Sequence, residues 1–287
     1  MDDLLQIGLN GISLGLMYAL IAIGLTLIFG VMRIIQYAHG EMFMLGAFVL
    51  YYWHAELGLP YWAGVAVSAA LIFCFGALLQ VVLFRPLHGK NILFSLAVSL
   101  GLVLIISGSG QLIFGTTTKG ISSAVSGGVL MGGAYLSYER MVISGVSIAL
   151  IVSLWVFLRH SVTGLAIRAV AEDPQTAALQ GVKTGQIHWI AFGLGSALAA
   201  IAGCMMGTLL SIVPTMGFLA TIKAFMIVIM GGLGSIVGAL VGGLILGMID
   251  SVVTTTISGD IALILSFVVI FFILVFRPSG LFGQNWD

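Results

Sequence analysis

Long apolar segments with few charged residues between them dominate this chain of 287 residues. Apolar residues make up 60% of it and charged residues 7%, whereas about a quarter of the residues in ordinary soluble domains are charged. Because so few charges cannot cover the surface of a soluble protein of this size, lipid must supply the apolar surroundings. The sequence therefore predicts an all-α membrane protein, a polytopic helical bundle of about 8–10 transmembrane segments with short or broken helices.

Nine segments approach the length of about 20 mostly apolar residues that a membrane-spanning helix needs. They are Leu4–Met32, Met42–Trp53, Trp62–Phe84, Ile92–Phe114, Val142–Leu158, Ile187–Ile212, Ala220–Met230, Ile236–Thr255 and Ile261–Phe276. As one straight helix the first is longer than the roughly 30 Å apolar core of a bilayer, so it must tilt, bend or break. Ala220–Met230 is too short to cross alone, which indicates either a transport pathway or misplaced boundaries.

The positions of the basic residues indicate the orientation of the chain. Arg85 and Lys90 flank one turn, three more basic residues lie in the connection 159–186, and Arg277 follows the last segment. If these sites are cytoplasmic, an odd number of crossings places the N-terminus outside and the C-terminus inside. We expect residues 1–287 to form a single transmembrane domain, with 159–186 as a cytoplasmic loop within it.

The connection 159–186 carries its own helix signals. Asp173 followed by Pro174 is typical of a helix start, and Gly181 is typical of a helix end. Residues 164–172 can form another short helical turn. A structured loop of this kind is interpreted as a docking element for a soluble partner. The alternative is a compact connector whose arginines only neutralise lipid headgroups.

No motif for ATP binding or catalysis occurs in the chain. The Gly89-Lys90 pair lacks the first glycine of a Walker A motif, and the patterns H-E-x-x-H and G-x-S-x-G are absent. His39–Glu41 matches H-x-E, but the P-C-x-x-C half of a zinc deaminase is missing. The sequence thus predicts no enzyme, no metal site and no cofactor bound by this chain; any ATP is used by partner subunits.

Polar residues within the apolar segments are candidates for a pathway or a gate, because ionisable groups at membrane depth usually face a cavity or one another. The candidates are Gln36, His39, Glu41, Lys223 and Asp250. Lys223 and Asp250 are possible partners. The alternatives are a lysine that reaches the membrane interface, an aspartate hydrated near the outer end of its helix, and a histidine that only stabilises a helix break.

Glycine occurs 39 times, in places at four-residue spacing. Such spacing lets membrane helices approach closely, so Gly234, Gly238 and Gly242 are predicted to mediate helix packing. Gly231 and Gly232, just before them, are assigned the same role. The first two segments and residues 195–232 share only a composition rich in glycine and alanine. No internal repeat is predicted from it.

Five stretches of the chain together resemble one family, the branched-chain amino acid ABC transporter permeases of the LivH type. The stretches are GLMYALIAIGLT at 15–26, QYAHGE at 36–41, RAVAED at 168–173, KAF at 223–225 and GGLGSIVG at 231–238. They occur in the family's order over essentially the whole chain. Gln36-Tyr37 and Val237 depart from its usual Asn-Phe and Pro, and Gln36 lies where substrate preference could be tuned.

The resemblance implies a multi-pass permease of the bacterial inner membrane that forms the pathway for branched-chain or other hydrophobic amino acids. It implies four interaction partners: a second homologous permease, two cytoplasmic ATP-binding cassette subunits, a periplasmic amino-acid-binding protein and the lipid bilayer. It implies no nucleic-acid partner. It also implies that the cytoplasmic loop couples the permease to an ATPase. The coupling residues would be Gly164, Arg168, Ala171, Glu172, Asp173, Pro174 and Gly181.

Three other functions are alternatives at this stage. A permease of the same type could carry urea or short amides. An ion-coupled secondary transporter or channel could use Lys223 and Asp250 as its coupling charges. An intramembrane enzyme could use His39 and Glu41.

Overall fold

The computed structural model describes residues 2–122, 125, 127–131 and 133–283. These residues form eleven α-helices and one two-stranded antiparallel sheet. The helices are α1 (Asp2–Met32), α2 (His39–Leu50), α3 (Tyr61–Leu79), α4 (Ile92–Phe114), α5 (Tyr138–His160), α6 (Val162–Glu172), α7 (Pro174–Leu179), α8 (Thr184–Leu209), α9 (Met216–Gly231), α10 (Ile236–Thr256) and α11 (Gly259–Phe276). Helix α2 continues as a π-helical segment, Tyr51–Glu56, and α3 continues through a π-helical turn, Gln80–Phe84, into a 3₁₀ turn, Arg85–Leu87.

All nine predicted apolar segments coincide with helices. Among the described residues, seven helices are long and apolar enough to cross a membrane: α1, α3 with its extension, α4, α5, α8, α10 and α11. Helix α9 has only 16 residues, in agreement with the short segment predicted there. Helix α1 runs unbroken for 31 residues, so its length is accommodated by tilt or bending and not by a break. The prediction of a polytopic helical membrane protein is confirmed.

Helix α1 lies at the centre of the bundle. It packs against α5, α8, α9 and α10, and most of its side chains from Leu16 to Met32 are buried. The outer helices have large exposed apolar side chains, such as Leu112 on α4 and Phe276 on α11. In a membrane protein such faces suit contact with lipid or with another subunit.

Helices α9 and α10 cross so closely that side chains are excluded between them. A Cβ atom on Gly231 would lie 2.3 Å from the carbonyl oxygen of Gly238, and one on Gly238 would lie 2.1 Å from that of Gly231. A Cβ on Gly242 would lie 3.0 Å from the carbonyl oxygen of Ile227. These three glycines therefore lie where a packing role requires them, between α10 and α9.

Gly232 and Gly234 do not lie on a helix face, which corrects the prediction for these two residues. They lie in the turn between α9 and α10, and their φ angles of +103° and +83° provide the left-handed backbone that other residues rarely adopt. Helix α10 begins only after Ser235, whose hydroxyl accepts a hydrogen bond from the Gly238 N–H at 3.0 Å. Gly234 lies before the start of α10 and Gly238 lies within it, so their four-residue spacing does not place them on one helix face.

The two ends of the chain form corresponding series, α1–α4 and α8–α11, in which a long helix is followed by a short one. In this correspondence α8 matches α1 and α10 matches α3, and the packing of α1 on α10 is matched by the packing of α8 on α3. Gly40 and Gly217 are the second residues of α2 and α9, and each closely faces the other's carbonyl oxygen. Gly24 of α1 and Gly195 of α8 are in the same reciprocal contact. Reciprocal contacts of this kind define an approximate two-fold relation, although no internal repeat was predicted from the sequence.

A small β-hairpin between α4 and α5 adds to the predicted all-helical fold. Strand β1 (Gly128–Met131) pairs with β2 (Ala134–Ser137). The hairpin contacts the start of α1, because the Tyr135 N–H donates to Gln6 Oε1 at 2.8 Å. Strands of four residues give too short an alternation to be predicted among apolar segments.

Candidate functional site

The connection between α1 and α2 brings the polar motif at residues 36–41 into the bundle. Helix α1 ends at Met32, and Arg33 then adopts a left-handed backbone with φ of +52°. Helix α2 begins at His39 inside the protein, so the amide groups of its first turn need protein partners. The side chain of Thr221 on α9 supplies one, since its Oγ1 accepts from the Gly40 N–H at 3.0 Å.

Replacing Thr221 tests this link between α2 and α9. The Thr221 hydroxyl also lies 3.0 Å from the carbonyl oxygens of Tyr37 and Gly217, to one of which it donates. We expect Thr221→Val, which keeps the shape, to lower the free energy of unfolding by about 1–2 kcal/mol, because the Gly40 N–H loses its buried partner. Thermal denaturation in detergent checks this, and Thr221→Ser should retain wild-type stability apart from a small packing loss. A Thr221→Val protein as stable as Thr221→Ser would contradict it.

His39 stabilises the start of α2 from within. Its side chain is fully buried, and Nε2 lies 3.0 Å from the carbonyl oxygen of Ile21 on α1. A Cβ on Gly24 would lie 3.2 Å from the imidazole ring, so this glycine leaves room for it. The geometry favours the structural interpretation of His39 over a catalytic one.

Gln36 and Glu41 are also buried and, like His39, whose Nδ1 has no hydrogen-bond partner, both keep polar atoms without a partner. Both side-chain amide atoms of Gln36 are buried and unpartnered, as is Oε2 of Glu41. Glu41 is 1% exposed and lies in the wall of a cavity of about 810 Å³ that is open on the side of the exposed Leu104 and Phe218. Buried polar atoms without partners are costly, and they cluster where a protein binds something or changes conformation.

Lys223 and Asp250 form a largely buried ion pair between α9 and α10, so the two charges suggested as partners do meet. Tyr18 of α1 completes the cluster: its hydroxyl donates to Asp250 Oδ2 at 2.8 Å and lies 2.6 Å from Lys223 Nζ, which donates to it. Ser266 Oγ of α11 lies 3.5 Å from Asp250 Oδ1. The cluster thus joins four helices and neutralises both charges at membrane depth.

A second cavity, of about 270 Å³, lies beside this ion pair. Lys223 and Tyr18 form its polar edge, and apolar side chains such as Phe43 and Met206 form most of the remaining wall. Thr215 and Leu219, at the start of α9, line both this cavity and the larger one beside Glu41. The beginning of the short helix α9 therefore separates two open cavities.

The loop 159–186 has the structure that its helix signals predicted. Asp173 Oδ1 accepts from the N–H groups of Gln175 and Thr176 at 2.9 and 3.2 Å, and Pro174 opens α7. Hydrogen bonds from the side chain and backbone of Thr176, and from the backbone of Gln175, lower the pKa of Asp173 below its usual value. Gly181, with φ of +85°, follows the end of α7.

The predicted coupling residues lie on both sides of the Asp173 cap. Gly164 is in close contact with α5, since a Cβ there would lie 2.2 Å from the Phe157 carbonyl oxygen. Arg168, Ala171 and Glu172 of α6 line an open cleft of about 440 Å³, which also contacts the turn between α9 and α10. The loop is thus a folded unit against the ends of the bundle. Its role in coupling stays a prediction.

The structure brings the candidates into two places. Lys223 and Asp250 meet each other, and Glu41 reaches a different cavity across the start of α9. Four residues of these sites were not predicted from the sequence: Tyr18, Thr221, and the polar residues Ser107 and Gln111 of α4, which line the larger cavity. A tyrosine inside a long apolar helix was a signal for the first of these, because its hydroxyl needs a partner.

A multi-pass bundle in which open cavities meet buried charged side chains is the arrangement of a membrane transport protein. Comparison with known proteins is more specific. The model of the family described as "Branched-chain amino acid transport system / permease component" matches residues 7–274. The chain belongs to this family of transport permeases.

Individual relatives agree with the family. The chain is 34% identical to the high-affinity branched-chain amino acid transport system permease protein BraD of Pseudomonas aeruginosa, over 98% of this chain and 96% of that protein. It is 32% identical to the corresponding permease protein LivH of Escherichia coli K12, over 81% and 80%. It is 29% identical to a probable branched-chain amino acid transport permease protein LivH of Methanocaldococcus jannaschii, over 75% and 70%. No solved structure is significantly similar to the chain.

Proposed function

We propose that this chain is the permease subunit of an ATP-driven importer and forms the pathway for branched-chain or other hydrophobic amino acids. The observation that carries the proposal is the similarity to branched-chain amino acid permeases over nearly the full length of both chains. The cavities between α1, α4 and α9 support it, because apolar walls with a few polar groups suit a small amphipathic solute.

One of the two ATP-binding subunits would dock at the cytoplasmic loop of this chain. Helices α6 and α7 there present strongly exposed apolar side chains, Val162, Leu165 and Leu179. Exposed apolar residues on a rigid, capped element suit a protein interface. A second permease and a periplasmic amino-acid-binding protein complete the proposed importer in the bacterial inner membrane.

The proposed mechanism is alternating access without bond chemistry in this chain. ATP-driven closure of the partner subunits would move the loop 159–186 and, through it, the turn between α9 and α10 that contacts the same cleft. The short helix α9 would then change which of its two neighbouring cavities is open. Substrate shifts this equilibrium only if its affinity differs between the two states.

Reconstitution tests this function directly. The tagged chain is purified from native membranes in mild detergent, its stoichiometric partners are identified by mass spectrometry, and the complex is placed in proteoliposomes. We expect uptake of leucine that requires ATP, and less uptake of urea than of leucine. Without ATP we expect no uptake of either compound. Uptake of urea in preference to leucine would identify the short-amide alternative. A chain that transports alone and without ATP would contradict the importer.

Charge reversal tests the coupling loop. Glu172 is exposed at the end of α6, so we expect Glu172→Arg to fold normally but to lower ATP-driven uptake by about tenfold, a change of about 1.4 kcal/mol in the coupling to the ATPase. Uptake and ATP hydrolysis are measured on the same complex. Asp260→Arg, the same reversal at an exposed site on α11, is the control. Wild-type uptake in the Glu172→Arg complex would show that Glu172 is not part of the coupling surface.

A further inference from the structure

Glu41 is a carboxyl group that the protein surrounds but does not pair. Its side chain is 1% exposed, and Oε2 has no hydrogen-bond partner. Within the described part of the chain the largely buried ion pair joins Lys223 to Asp250, and no basic side chain is paired with Glu41. A buried carboxylate normally acquires a cation or hydrogen-bond donors. The position of Glu41 therefore suits a positive group that comes from outside the chain.

The cavity beside Glu41 has the size and the walls of a small-molecule site. Its volume of about 810 Å³ falls within the roughly 300–1,000 Å³ that is usual for such sites. Leu100, Val103 and Leu104 of α4 give it an apolar side. Ser107 and Gln111 of the same helix give it hydroxyl and amide groups. An occupant with one charged end and one branched apolar end matches these walls.

We propose that Glu41 binds the α-ammonium group of the transported amino acid, whose apolar side chain lies against α4. This inference rests on the proposed function and adds to it the residue that recognises the charged end of the substrate. A hydrogen bond between an ammonium group and a carboxylate is one of the stronger polar contacts. It also distinguishes an amino acid from urea, which carries no positive charge.

The start of α9 controls access to this carboxyl group. A Cβ on Gly217 would lie 2.9 Å from Cδ and Oε1 of Glu41, so the α9 backbone lies directly against the carboxyl group. Thr215 and Leu219 line the cavities on both sides of this contact. Glu41 is thus covered in the present conformation, and a movement of the first turn of α9 exposes it to the substrate.

Chemical labelling tests the contact without relying on uptake. The wild-type complex in nanodiscs, without the binding protein, is treated with dicyclohexylcarbodiimide, which modifies carboxyl groups in apolar surroundings, and the modified Glu41 peptide is quantified by mass spectrometry. We expect millimolar leucine to slow labelling of Glu41, whereas 4-methylpentanoate, which lacks the amino group, does not. Equal labelling with and without leucine, or equal protection by both compounds, would overturn the proposal.

Uptake by the Glu41→Gln complex gives the second measurement. We expect leucine uptake to fall about 10- to 100-fold, the loss typical of a hydrogen bond between charged groups. Glu139→Gln is the matched control: it makes the same change from carboxyl to amide at Glu139 of α5, which also has an unpartnered buried oxygen but lies beside a space of only about 10 Å³. We expect it to transport as the wild type does.

The outcomes separate this inference from the proposed function. If the wild-type complex transports no amino acid, the proposed function fails. If the wild type transports leucine and Glu41→Gln does so equally well, only the role of Glu41 fails. If Glu41→Gln does not assemble, protection of the wild-type carboxyl group from labelling still decides the question.

Discussion

Gly203→Ala should destabilise the bundle by about 3 kcal/mol. A Cβ at this position of α8 would lie 1.9 Å from the carbonyl oxygen and 2.7 Å from the carbonyl carbon of Phe43 on α2. These are backbone atoms, which cannot turn away as a flexible side chain can. The two helices must therefore separate, and the packing around the crossing is lost. Thermal denaturation of the detergent-solubilised protein measures the effect.

The control is the same substitution where there is room. A Cβ on Gly145 of α5 would meet no atom within 4 Å. Because alanine is a better helix former than glycine by about 0.5–1 kcal/mol, Gly145→Ala should be neutral or slightly stabilising. Equal melting temperatures for Gly203→Ala and Gly145→Ala would show that the close crossing of α2 and α8 does not limit stability.

Lys223→Met should have an effect of comparable size for an electrostatic reason. Removal of the ammonium group leaves the Asp250 carboxylate, which is 4% exposed, without its cation, and breaking a buried ion pair costs about 3–5 kcal/mol. Tyr18 still donates its hydrogen bond to Asp250 but does not neutralise the charge. We expect a lower melting temperature and a lower yield of folded protein.

A second variant separates charge from shape. Asp250→Asn in the Lys223→Met background keeps an acceptor for Tyr18 and removes the unpaired charge, so most of the lost stability should return. No recovery in this double variant would contradict the electrostatic explanation. A stable double variant that no longer transports would assign the pair to the pathway and favour the coupling-charge alternative.

The fold was largely predictable because a bilayer imposes a length on each helix. All nine apolar segments coincide with helices, since lipid offers no partner to an unpaired backbone N–H or C=O group. The caps at Asp173 and Ser235 fix helix starts through local hydrogen bonds. The signal at Asp173 is strengthened by the proline that follows it, whereas Ser235 lies among glycines and was missed. For this reason Gly234 was predicted on a helix face.

The relation between the two halves was harder to predict because it depends on contacts between distant residues. The contacts of Gly40 with Gly217 and of Gly24 with Gly195 are reciprocal in space, but shared composition in the sequence did not reveal them. The same limit applies to the site. Lys223 and Asp250 could be paired from the sequence because charges are so few, whereas the cavity beside Glu41 exists only where α4 lies opposite α9.

The central position of α1 has a consequence for how the protein is made. This helix leaves the ribosome before the other described helices, yet the two that contact it most, α8 and α10, begin only at Thr184 and Ile236. During most of synthesis, the face of α1 that α8 and α10 cover in the folded protein must therefore lie in lipid or against the insertion machinery. From Gly11 to Met32 the residues are apolar or glycine except Ser13, Tyr18 and Thr26, and Tyr18 is polar only at its hydroxyl group. Such a helix is stable in lipid by itself, so it can remain in the bilayer until the helices that pack against it have been synthesised.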